Sequence, residues 1–68
     1  MLARGTTVVL VKVPERLKGD FRVKVGFVGE ILGIRELKGV LQYLVKLEGK
    51  SNPISVDYDE VAVPRRIL

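Results

Sequence analysis

The amino-acid sequence predicts an all-β fold of five short strands that curl into a small barrel. Three observations carry this expectation. Apolar and β-branched residues gather in short runs with period-two alternation. No stretch keeps the 3.6-residue spacing of a helix. Gly, Pro, Asn and Asp cluster between the runs, where turns need them.

Residues 6–13, TTVVLVKV, have the composition of a strand, and Pro14, which lacks an N–H for the ladder, ends it. Residues 14–25, PERLKGDFRVKV, form a long charged loop, too short and too weakly periodic for a helix. The second strand is expected at 27–34, within a run that holds Gly26, Gly29 and Gly33. RELKG, 35–39, reads as a hairpin connection with Gly39 in a left-handed position. In VLQYLVKLE, 40–48, Leu41, Tyr43, Val45 and Leu47 face one side while Gln42, Lys46 and Glu48 face the other. GKSNP, 49–53, is the clearest turn. ISVDY, 54–58, alternates again, with Ile54, Val56 and Tyr58 inward and Ser55 and Asp57 outward. Asp59-Glu60 reads as one tight helical turn capped by Asp59, and VAVP, 61–64, as the last strand. The core is expected at Val28, Ile31, Tyr43, Val45, Leu47, Val56 and Val61.

Strands this short cannot make a flat sheet with a dry face, so they must curl. Glycines in the central strand are expected to permit that coiling. Strand, long loop, three-strand meander, one short 3₁₀ turn and last strand is the order of a five-stranded SH3-like small barrel, here one domain over residues 1–68.

Several functions are excluded on chemical grounds. There is no Cys and no His, which removes disulfides, thiolate and imidazole metal ligands, and the usual nucleophile–base pairs. A dinucleotide fingerprint needs G-x-G-x-x-G before a helix, but the spacing here is G-x-x-G-x-x-x-G and no helix follows. Gly49-Lys50-Ser51 echoes the end of a P-loop, yet Leu44 stands where its first glycine belongs, and Pro53 spoils the helix start. Asp57, Asp59 and Glu60 could hold Mg²⁺ or act as a carboxylate pair. The plainer reading puts Asp57 in water and Asp59 at the cap. Thr6, Thr7 and Ser51 have no base to activate them. Neither an enzyme nor a cofactor, metal or small-molecule substrate is expected. No apolar run approaches the ~18 residues of a membrane span, and the N-terminus lacks a signal-peptide cleavage site. A soluble, cytoplasmic protein without membrane contact is expected.

Two surfaces compete for a partner. The net charge is +4. Arg16, Lys18, Arg22 and Lys24 crowd the first loop, and Arg35 and Lys38 the next connection. In an SH3-like barrel these loops flank one groove, which suits an anionic partner, although Glu15, Asp20 and Glu36 lie among them. Along 6–13, Val9, Val11 and Val13 face one way and Val8 and Leu10 the other. A barrel buries one side, so Val8 and Leu10, with Ile67 and Leu68, are expected to offer an apolar face to a protein or a second copy.

Residues 4 to 61 resemble the SH3-like electron transport accessory group, which includes photosystem I subunit IV and the variable chain of ferredoxin–thioredoxin reductase. The matching pieces are Arg4-Gly5 before a valine-rich strand, Val28-Gly29-Glu30-Ile31, Tyr43-Leu44-Val45-Lys46-Leu47, and Asp59-Glu60-Val61. Val13-Pro14-Glu15 together with Val28-Gly29-Glu30-Ile31 is also similar to a family of small bacterial proteins. The resemblance implies a non-catalytic accessory module that docks on a larger protein, and with the apolar face the expected function is a binding module that docks on a protein partner or self-associates. The alternative is a small basic nucleic-acid-binding protein using the loops at 14–25 and 35–39.

Overall fold

In the computed structural model, which describes residues 2–64, each expected apolar run contributes a strand. The strands are β1 (Thr7–Leu10), β2 (Val28–Leu37), β3 (Val40–Leu47), β4 (Ile54–Val56) and β5 (Val61–Ala62), with 3₁₀ turns at Glu15–Leu17 and Tyr58–Glu60. They form one antiparallel sheet in the order β4-β3-β2-β1-β5. The all-β fold and the 3₁₀ turn before the last strand are as expected.

Closure is not. β4 and β5 remain the two edges of the sheet and do not pair. They are only 3 and 2 residues long, and backbone beside them is engaged elsewhere. The Arg16 guanidinium donates to the Ser55 carbonyl of β4. On the other side the Glu60 carbonyl only extends the β1–β5 pairing, accepting from the Val11 N–H at 2.8 Å and the Lys12 N–H at 3.3 Å. With no second layer to cover it, the sheet must curve its apolar face onto itself.

That face carries Val8, Leu10, Ile31, Tyr43, Val45, Leu47, Val56 and Val61 in one buried cluster. Val28 is only half-buried. It differs in parity from Ile31, so the pleat turns it the other way. Val45→Ala should cost about 1–3 kcal/mol through lost burial and the cavity left behind. A urea titration with an unchanged m-value should show that loss as a lowered midpoint; an unmoved midpoint would contradict the core.

Val8 and Leu10 correct the expected interface: both are 0% exposed. β1 lies between β2 and β5, and Val8 stands opposite Gly29 on the inner face. Their outward neighbour Val11 is the exposed one. Ile67 and Leu68 lie outside the described residues.

The β2–β3 hairpin is longer than expected. Arg35, Glu36 and Leu37 pair with Gln42, Leu41 and Val40, so they belong to the strand and not to the connection. The turn is Lys38-Gly39 alone, with φ of 52° and 80°, the two-residue geometry whose twist suits a hairpin. Within β2 the pairing passes from Ile31↔Val45 to Gly33↔Leu44, leaving Leu32 as the extra residue of a bulge. The bulge moves the inward set from Gly29 and Ile31 to Ile34 and Glu36. It also accounts for the bend expected of Gly33, where an added Cβ would meet nothing within 4 Å.

The 3₁₀ turn is held by Asp57 and Glu60 rather than by Asp59. A Glu60 carboxylate oxygen accepts from the Asp57 N–H at 2.7 Å, and the Gln42 amide donates to Asp57 Oδ1 at 2.9 Å. Tyr58, expected inward, sits in this turn and is 48% exposed, its ring 5.2 Å from that of Tyr43. Tyr43 is buried, and its hydroxyl accepts from the Leu2 N–H at 2.8 Å.

Candidate functional site

Strand pairing leaves part of the sheet bare. β1 pairs with β2 only at Val28, Gly29 and Glu30, and β4 pairs with β3 only at Tyr43, Leu44 and Val45. Residues 33–37 and 40–42 therefore project as a two-stranded ribbon with neither edge covered by a strand among the described residues. The ribbon is apolar on both faces. Ile34 and Leu41 share the face of Tyr43, while Leu37 and Val40 lie on the opposite face with Arg35 and Gln42. Their exposures are 41% for Ile34, 50% for Leu37, 54% for Val40 and 37% for Leu41. A two-stranded ribbon is marginal in water on its own. Arg35, Glu36 and Lys38 place charges along it, as exposed edges commonly do.

The six basic residues do not act as one rim. Lys18 Nζ lies 2.8 Å from the Glu15 carboxylate, and Arg22 Nε lies 3.1 Å from that of Asp20. The hydrogen bond from Lys18, then its charge, lowers the Glu15 pKa below the usual carboxylate range. Side-chain and backbone hydrogen bonds from Arg22 do the same to Asp20. Arg16 and Arg35 converge instead: Arg16 donates to the Ser55 carbonyl, and Arg35 Nη1 donates to Ser55 Oγ at 3.3 Å. Lys24 precedes β2 and Lys38 occupies the hairpin turn, and neither bonds to Ser55.

The acidic cluster disperses. Asp57 is held by Gln42, Glu60 is buried with its carboxylate on the Asp57 N–H, and Asp59 lies 3.9 Å from Lys12 Nζ. Among the described residues no three such side chains gather as a metal site. A shallow groove between the first loop and the 49–53 turn has an apolar floor of Leu17, Val23, Leu47 and Ile54 under Arg22 and Lys50. Phe21 stands nearby in sequence, 80% exposed.

This is a small all-β protein with a bare ribbon at one end and an arginine pair on its β4 edge. The chain matches no family model, no curated protein and no solved structure. Among the described residues, no helix is long and apolar enough to cross a membrane.

Proposed function

We propose that this chain is a non-catalytic β-module that docks on a protein partner or on its own copies through the β2–β3 ribbon. The observation that carries the reading is the ribbon's exposed apolar set, Ile34, Leu37, Val40 and Leu41, on strands with uncovered edges. Such an edge offers N–H and C=O groups for strand addition, and the side chains add roughly 25 cal/mol per Å² of apolar area buried. The strand order and the 3₁₀ turn before β5 support the SH3-like relation, whose members act by docking.

Sedimentation across a salt and concentration series tests this. Self-association that survives raised salt and disappears in Leu37→Asp, with an unchanged circular dichroism spectrum, is the expected result. The variant should keep its fold because Leu37 is half-exposed.

A second reading, nucleic-acid binding through the loops at 14–25 and 35–39, is favoured by the Arg16–Arg35 convergence. The pairing of Lys18 and Arg22 with acidic neighbours weakens it. It requires affinity for duplex DNA or single-stranded RNA that falls with salt, at a log–log slope of about −0.7 to −0.9 per phosphate contact. A strictly monomeric protein with that behaviour would reverse the order of the two readings.

A further inference from the structure

We propose that Arg16, Arg35 and Ser55 form a binding site for a phosphate monoester. The three come from separate elements: the first 3₁₀ turn, the ribbon half of β2, and β4. Sequence separations of 39 and 20 residues close onto one serine. Folding thus brings two guanidiniums onto one residue, Arg16 at the Ser55 carbonyl and Arg35 at its hydroxyl, and like charges gathered there favour an anion.

Among the described residues no carboxylate supplies it. The ion pairs among the described residues are Lys12–Asp59, Lys18–Glu15 and Arg22–Asp20, none of which involves either arginine. Asp57 lies two residues beyond Ser55, but its carboxylate bonds to the Gln42 amide and forms no ion pair with either arginine. Each guanidinium carries five N–H donors in a planar fork and spends only one on Ser55. The remaining donors match phosphate oxygens. Ser55 Oγ accepts from Arg35, and its own hydrogen is free to point at a third oxygen.

Room exists as well. Gly33, Leu44 and Ser55 stand in one row across the sheet on the face that carries Arg35. Over Gly33 there is open space. Charge selects the ligand: two cations balance a monoester, which carries about −1.5 to −2 at pH 7, better than a carboxylate or a phosphodiester of single charge. The site depends on neither the ribbon's apolar residues nor the docking role, so either reading can fail alone.

The test is NMR titration at constant ionic strength, following backbone amides and arginine Nε–H signals. Four probes are compared: inorganic phosphate, an acetyl-Gly-phosphoserine-Gly-amide peptide, sodium acetate, and an oligothymidylate without a terminal phosphate. Saturable shifts at Ser55, Arg16 and Arg35 with inorganic phosphate and the phosphopeptide, and weaker ones with acetate, are expected. Tighter binding of the phosphopeptide points to a modified protein as the source, and tighter binding of inorganic phosphate to a small molecule. Arg35→Gln touches only the Ser55 hydroxyl and should weaken binding roughly tenfold or more, as should Arg16→Gln. Lys18→Gln in the same loop should change it little. Absence of shifts at Ser55, an equal loss in Lys18→Gln, or a preference for the oligonucleotide would overturn the assignment.

Discussion

Gly29→Val is expected to abolish cooperative folding. A Cβ at position 29 would lie 2.8 Å from the Lys46 carbonyl oxygen, 2.8 Å from Val45 Cγ1 and 3.1 Å from Leu47 Cδ2. The carbonyl cannot withdraw without breaking the β2–β3 ladder, in which Gly29 pairs with Leu47. Val45 and Leu47 cannot swing aside either, being 0% and 2% exposed in the packed core. Overpacking against backbone, with three added carbon atoms, places the cost at or above about 4 kcal/mol. A single core of this size rarely supplies more than about 3–5 kcal/mol in all. Gly33→Val is the control, since its Cβ meets open space. Far-UV circular dichroism with urea titration should show no cooperative transition for the first variant and a retained one for the second. Matching behaviour of the pair would refute the close-approach argument. A folded Gly29→Val that had lost nucleotide affinity would reopen the phosphate-loop reading.

Leu10→Asp is expected to unfold the protein rather than to disrupt an association. Leu10 is 0% exposed and packs within the single core cluster. A carboxylate there would be buried with no partner, which costs several kcal/mol. Leu10→Ala, which adds no charge, should still cost about 2–5 kcal/mol. Thermal or urea unfolding measures both. If Leu10→Asp stayed folded and lost only an oligomer, β1 would have to present its other face to solvent.

Much of this architecture was legible locally. The strand runs, the GKSNP turn and the tight turn at Asp59-Glu60 follow from alternation and from residues with strong turn chemistry. The face of β1 was not legible, because Thr-Thr-Val-Val-Leu-Val-Lys-Val places branched or long apolar residues on both parities. The full length of the hairpin is hidden from the sequence because Lys38 holds a positive φ that ordinarily signals Gly or Asn. The bulge at Leu32 carries no composition cue, yet it sends Ile34 and Glu36 to the face that regular pleating would give to Arg35.

By themselves, the residues determined that five strands form and roughly where the turns between them fall, since both properties rest on period-two patterns and turn chemistry within a few positions. The tertiary structure decided the rest. It buried Val8 and Leu10, left the ribbon bare, and kept β4 and β5 apart. It also broke the basic rim into two ion pairs, one arginine couple, and Lys24 and Lys38 apart from both. These outcomes depend on which distant segments meet: Val8 faces Gly29, and Arg16 reaches Ser55 from 39 residues away. Contacts of that range are set by packing and chain closure, and no local pattern encodes them.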